Sequence, residues 1–248
     1  MKVVILAGGL GTRMSEFTSS IPKPMVPIAG KPIILHIMSH YAKYGFNEFY
    51  LALGYKGNVI KKYFKKKKFN NWKINLIDTG KKTMTGGRLK RLKKYLKDET
   101  FMLTYGDGIS DVNIKKLLKF HKRNKKLVTL TAVRPPARFG GIKLKGNNVT
   151  YFKEKSKLDE GWINGGFFIM EPNFLNLIKH NQVYLEREPL EIICKRKQLA
   201  AFKHEGFWQC MDTKRDKDKL EEILKKKNCM LTNTMVIGNA WTHLEIKS

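Results

Sequence analysis

Directly after the apolar run Val3-Val4-Ile5 the chain reads Leu6-Ala7-Gly8-Gly9-Leu10-Gly11-Thr12-Arg13. Backbone amides in a glycine-rich turn can approach phosphate oxygens closely because no Cβ intervenes. Arg13 adds a charged fork suited to a di- or triphosphate. A Walker A loop would need Gly-Lys-Ser/Thr after four spacers, whereas Thr12-Arg13-Met14 follows Gly11; the dinucleotide fingerprint would need glycine or alanine where Met14 stands. The turn therefore reads as a phosphate cradle of another kind, with a plain strand–helix turn as the alternative. Further on, Pro22-Lys23-Pro24-Met25 places a lysine between two prolines, which predicts an extended segment that orients one cation. Tyr105-Gly106-Asp107-Gly108 sets a carboxylate just past an apolar run, between two glycines that leave room for ligand atoms. Taken alone, Lys23 is one of 40 lysines and Asp107 reads equally well as a turn or capping aspartate.

These groups need a scaffold, and short apolar runs supply one. Val3–Ala7, Phe49–Leu53, Ile74–Ile77, Phe101–Tyr105 and Val128–Val133 read as strands, several apolar on both faces as in a buried parallel sheet. Between them Ile34, Ile37, Met38 and Tyr41 share one helical face, and so do Ile114, Leu117, Leu118 and His121. The pattern predicts a doubly wound, Rossmann-like mixed α/β sheet flanked by helices, with ligands at the carboxyl ends of its strands. After Pro135-Pro136 strand-like pieces follow one another (Ile142–Leu144, Val149–Glu154, Gly166–Met170, Leu199–Lys203), which predicts a smaller, partly antiparallel portion. Leu220–Lys227 reads as an amphipathic helix.

The 248 residues, 42% apolar, can bury a sizeable core. Lysine and arginine total 49 against 21 acids, a net charge of +28 that points to polyanionic company: nucleic acid, anionic lipid or phosphorylated small molecules. Only 9 of the 49 are arginine, the residue that reads bases bidentately. The lysine runs Lys61–Lys68, Lys90–Lys94, Lys122–Lys126 and Lys225–Lys227 fall on helical polar faces or in a loop, so solvated surface accounts for them better than a nucleic-acid face. Cys194, Cys210 and Cys229 form no C-x-x-C and suit reduced thiols in a cytosolic protein. The first apolar run is too short for a signal peptide and no run approaches a membrane span, so a chain that is not exported is expected. His36 and His40 lie four apart, but Ile37 stands where a zincin needs glutamate, which leaves both as structural histidines.

The glycine turn and Pro22-Lys23-Pro24 are joined by Thr85-Gly86-Gly87-Arg88-Leu89-Lys90-Arg91, Tyr105-Gly106-Asp107-Gly108, Pro135-Pro136-Ala137-Arg138-Phe139-Gly140, Phe152-Lys153-Glu154-Lys155, Asn164-Gly165-Gly166-Phe167-Phe168 and Gly206-Phe207-Trp208-Gln209-Cys210-Met211-Asp212-Thr213. In this order the motifs resemble the sugar-1-phosphate nucleotidylyltransferases, and most of all the glucose-1-phosphate cytidylyltransferase branch. The resemblance implies condensation of CTP with a hexose 1-phosphate, glucose 1-phosphate above all, with Mg²⁺ held by Asp107 and Asp212. It implies Arg13 and Lys23 as catalytic groups on the phosphates, and Leu6, Ala7, Gly8, Gly9, Leu10, Gly11, Thr12 and Gly106 as nucleotide contacts. Thr83 and Arg88 would face the base, where a guanidinium suits the O2 acceptor of cytosine. Glu154, Asn164 and Gly165 would meet sugar hydroxyls, and Lys155 the sugar's phosphate. It further implies a cytoplasmic homo-oligomer with no specific nucleic acid and no membrane partner. Residues 1–227 would form one domain, 1–133 the nucleotide half and 134–227 the sugar half, with 228–248 a tail of no assigned role. Three departures stand out: Ser156 replaces the usual proline after Glu-Lys, the segment at Lys65–Lys68 is short, and the tail matches nothing recognisable.

Overall fold

The computed structural model describes residues 1–69, 71–136, 141–153 and 161–226. In chain order the strands are β1 (Lys2–Ala7), β2 (Pro27–Ile28), β3 (Lys31–Pro32), β4 (Glu48–Leu53), β5 (Lys73–Asp78), β6 (Phe101–Tyr105), β7 (Gly108–Ser110), β8 (Val128–Val133), β9 (Gly141–Lys145), β10 (Asn148–Lys153), β11 (Ile163–Met170), β12 (Leu199–His204) and β13 (Trp208–Cys210). The helices are α1 (Ser15–Thr18), α2 (Ile33–Ala42), α3 (Gly57–Lys66), α4 (Thr85–Leu96), α5 (Ile114–Asn124), α6 (Glu188–Lys195) and α7 (214–226).

Seven strands form one mixed sheet in the order β12-β8-β11-β6-β1-β4-β5. β1 sits near its middle, parallel to both β4 and β6. Its side chains alternate between two cores. Val3, Ile5 and Ala7 pack with α2, α3 and α5, whereas Val4 and Leu6 pack with α4 and α6. A strand covered on both faces has no polar face to show, hence the continuous apolar run. The alternation is therefore between two buried layers rather than between core and water.

The doubly wound mixed sheet is as the pattern predicts. β8 does not lie beside β6. β11 enters antiparallel between them, and β12 then adds parallel to β8. The boundary at 133/134 thus does not divide the sheet; strands from both sides of it interleave. β11 reaches this slot through a register shift between Asn164 and Phe168, where Gly166 takes φ +78° with the Tyr105 ring 2.5 Å from the place of a Cβ. The glycine lets the strand cross that ring. Outside the main sheet, β9 and β10 form a hairpin, and β13 pairs with β7.

α7 begins six residues before the apolar periodicity that reveals it. Thr213 and Asp216 form a reciprocal cap: the Asp216 amide donates to Thr213 Oγ1 at 3.2 Å, and Asp216 Oδ2 accepts from the Thr213 amide at 3.0 Å. Between Thr213 and Leu220 every residue is charged, so no apolar stripe shows there.

Phe168 is fully buried on β11, the strand that joins the two sides of the sheet. Phe168→Ala should cost about 3–5 kcal/mol in urea unfolding through lost burial and an unfilled cavity. A loss below about 1 kcal/mol would mean that β11 is not packed as described.

Candidate functional site

A cavity of about 830 Å³ opens beside the carboxyl ends of β1 and β6. Its walls are the turn 8–13, Lys23, residues 81–85 with Arg88, and residues 105–107; Gln182 and Tyr184 complete the rim. The glycines of the turn answer different demands. Gly11 has φ +67°, and Thr18 fixes it by donating from Oγ1 to the Gly11 carbonyl at 3.0 Å. A Cβ on Gly8 would lie 2.2 Å from Arg88 Nη1. Gly9 meets nothing within 4 Å and leaves its side of the turn open.

Arg88 lines the cavity but is 4% exposed, and most of its donors are committed to the chain. Nη1 donates to the carbonyls of Leu53 (3.1 Å) and Gly80 (2.9 Å) and to Thr79 Oγ1 (2.7 Å); Nη2 donates to the Gly8 carbonyl (2.7 Å). This corrects the picture of a guanidinium turned toward a base, because Arg88 clamps the ends of β1, β4 and β5 together. Burial lowers its pKa to about 10, so it stays charged at neutral pH. The Ala7 side chain is fully buried in the core beneath the turn. Gly106 lines the cavity, and a Cβ there would meet the Leu6 carbonyl at 2.8 Å and Pro24 Cγ at 2.9 Å, so the close approach of the chain requires glycine. Leu6, Leu10, Thr12 and Thr83 line the cavity.

At the inner end lies a charged cluster. Lys23 opens a 3-10 turn (Lys23–Met25) behind an extended Pro22, so the prolines stiffen a turn rather than an extended run. Its Nζ donates to Asp107 Oδ2 at 2.6 Å and to Asp212 Oδ1 at 2.7 Å, and Arg13 Nη1 reaches Asp212 Oδ2 at 2.8 Å. Asp107 follows β6, and the pairing of Cys210 with Gly108 brings Asp212 back beside it. The Met211 amide donates to the Asp107 carbonyl at 2.9 Å, and Asp216 Oδ2 accepts from the Asp212 amide at 3.2 Å. Asp216 stands three residues after Thr213, a capping spacing that the apolar pattern of the helix does not reveal.

Burial alone would lower the Lys23 pKa, but Asp107 and Asp212 more than offset it and the net shift is upward. Burial alone would raise the Asp212 pKa, but Lys23 and then Arg13 hold it below the usual carboxylate range. Burial, then Asp212 and Asp107, push the Cys210 thiol up to about 12, so it stays protonated near this cluster. Two carboxylates converging on one cation fit the sparse ligand set that Mg²⁺ accepts when phosphates and waters complete its octahedron. Among the described residues no group of three or more His, Cys, Asp or Glu side chains could hold a metal by itself.

In β11, Asn164 Oδ1 accepts from the Gly166 amide at 2.9 Å, and the Gly165 carbonyl accepts from Trp208 Nε1 at 2.7 Å. Neither Asn164 nor Gly165 lines the cavity. Glu154 and Lys155 lie outside the described residues. Glu186, which no motif marked, accepts from the Tyr105 hydroxyl at 2.6 Å and from Thr85 Oγ1 at 2.7 Å, tying the start of α4 to the end of β6. His36 and His40 each bond a backbone carbonyl, of Ile28 and Val112 respectively, as structural histidines do.

The sequence matches the nucleotidyl transferase family profile over residues 2–216. It is 47% identical to the glucose-1-phosphate cytidylyltransferase of Salmonella typhimurium, over 91% of this chain and 96% of that one. A probable glucose-1-phosphate cytidylyltransferase of Bacillus subtilis is 41% identical over 86% of this chain and 92% of its own length. Among solved structures, HddC from Yersinia pseudotuberculosis complexed with GMP-PN superposes with a TM-score of 0.72 at 27% identity, covering 90% of this chain and 99% of that one.

The opposed shifts of Lys23 and Asp212 give a pH dependence with a definite sign. Asp212, depressed in the folded state, contributes stability that is fully present above its ordinary value of 3.8 and is lost as pH falls through the folded pKa. Lys23, raised, contributes stability that is fully present below 10.5 and is lost as pH rises through its folded value. The stability gap between wild type and Asp212→Asn in urea unfolding should be constant at neutral pH and close below pH 3.8. A gap that persists unchanged into strong acid would show that the pair carries no such linkage.

Proposed function

The chain belongs to the nucleotidyl transferase family, and on that premise we propose that it condenses CTP with α-D-glucose 1-phosphate to CDP-glucose and pyrophosphate. The observation that carries the reading is the 47% identity to the Salmonella enzyme along nearly the whole chain, joined to a charged cluster at the carboxyl edge of the sheet. An oxygen of the sugar phosphate attacks the α-phosphorus of CTP, the new O–P bond forms, and the bond from the α-phosphorus to the α,β-bridging oxygen breaks, that oxygen leaving with pyrophosphate. Such a transfer needs positioning and charge neutralisation more than covalent help.

The turn 8–11 and Arg13 bind the triphosphate through backbone amides and the guanidinium. Lys23, held protonated by its two carboxylates, donates to the reacting phosphates as negative charge redistributes, and it is no base. Asp107 and Asp212 are the residues that would hold Mg²⁺, which supplies charge neutralisation on the phosphates when bound. Thr83 faces the base, and Asn164, Gly165, Glu154 and Lys155 serve the sugar phosphate. The chain works in the cytoplasm as a homo-oligomer. Its free thiols Cys194 and Cys210 favour a reducing compartment. Among the described residues no helix is long and apolar enough to cross a membrane. The exposed hairpin side chains Ile142, Leu144 and Phe152 favour association.

Pyrophosphate release measured across the common nucleoside triphosphates, with a panel of sugar 1-phosphates, tests the substrates. CTP with glucose 1-phosphate should give the highest kcat/KM; a tenfold advantage for GTP, UTP or dTTP would overturn the cytidine half of the reading. Asp107→Asn and Asp212→Asn should each depress turnover, and the double variant should be little worse than either, because the two serve one ion. Additive losses would assign them separate roles.

A further inference from the structure

Lys23 stands where a metal would. Its ammonium lies 2.6 Å from Asp107 and 2.7 Å from Asp212, at the point on which the two carboxylates converge. With Arg13 on the other oxygen of Asp212, two carboxylates face two cations and the cluster is formally neutral. A divalent cation entering this arrangement would be pressed against an ammonium with no spare anion to balance it. Asp216 offers no reserve, since Oδ2 caps α7 and Oδ1 accepts from Gln209 at 3.2 Å. Lys23 itself can move. Its backbone is fixed by Pro22 and Pro24, but its charge sits on a flexible stem at the wall of the cavity that also exposes the glycine turn.

We propose that Lys23 is an internal stand-in for the metal: it closes the Asp107–Asp212 pair in the nucleotide-free chain and frees it by moving onto the phosphates of an arriving nucleoside triphosphate. The inference rests on the reading of Asp107 and Asp212 as the metal pair. The triphosphate brings the negative charge that Lys23 needs as a replacement partner, so the chain takes up a divalent cation tightly only together with nucleotide. The coupling is reciprocal, as any linkage between two bound ligands must be. Its consequence is order: without nucleotide, Lys23 keeps the carboxylates neutralised and unavailable.

Mn²⁺ serves as the probe, its binding read by electron paramagnetic resonance with no nucleotide and no turnover. Wild type should bind it only at millimolar or weaker affinity. Lys23→Met and Lys23→Gln, which leave the carboxylates without their ammonium, should bind it roughly tenfold tighter or more. Adding Asp107→Asn to either should abolish the gain. Sub-millimolar Mn²⁺ binding by nucleotide-free wild type would overturn the proposal without recourse to a variant, and so would folded Lys23 variants that gain nothing or keep the gain without Asp107. Melting curves run in parallel report folding, and Lys23→Gln keeps a polar partner should Lys23→Met fail to fold. Because the readout involves no CTP, a wrong substrate assignment would surface in the pyrophosphate panel and leave this result standing.

Discussion

Two carboxylates from distant parts of the chain share one ammonium, and much of the fold is organised to make that possible. Like charges brought this close repel unless a cation lies between them. Asp107 is placed by β6, Asp212 by the β7–β13 pairing, and Lys23 by a proline-flanked turn from a third region. Each anchor is itself tied down. The Met211 amide bonds the Asp107 carbonyl, and Asp216 holds the Asp212 amide while it starts α7. A helix cap thus doubles as a positioning device for a charged group, which joins local secondary structure to the chemistry of the site.

The glycine turn depends on a second constraint, the buried guanidinium of Arg88. Three parallel strands, β1, β4 and β5, end at this edge. Arg88 donates to the carbonyls of Gly8, Leu53 and Gly80; the first two also accept from the Tyr55 and Thr79 amides, so the guanidinium adds a bond across strand ends that the backbone already joins. The close approach of that guanidinium is what forbids a Cβ at Gly8. Two residues that each suggest ligand binding therefore also form a structural pair, and the pair presents the open face of Gly9 to the cavity.

What the sequence reveals and what it hides follow from the range of the interactions. The strands that flank β1 and the helices α2 and α5 are legible because burial on fixed faces leaves an apolar pattern within a few residues. The insertion of β11 between β6 and β8 is not, since nothing local states which edges will pair. The start of α7 is hidden beneath a wholly charged first stretch, although Thr213 and Asp216 carry the capping signal in their spacing. The charged residues of the site are visible as types: Arg13, Lys23, Asp107 and Asp212 do gather at one edge. The partners of Arg88 are backbone carbonyls, which leave no trace in side-chain identity.

Buried Arg88 and part-buried Lys23 also show why one is arginine and the other lysine. Arg88 must satisfy acceptors in several directions at once, and a planar fork does this with little loss of freedom on each bond. Its partners are neutral, so burial prevails and lowers its pKa to about 10, yet the charge survives at neutral pH. Lys23 meets carboxylates instead, and their attraction outweighs the burial that would otherwise lower its pKa. A compact ammonium on a flexible stem can exchange one anion for another without disturbing the turn that carries it. An arginine at position 23 would bind the same carboxylates through a broader fork and give them up less readily. The cation with the planar fork is the one that holds three strand ends together, and the one on a flexible stem joins two carboxylates at the wall of the cavity.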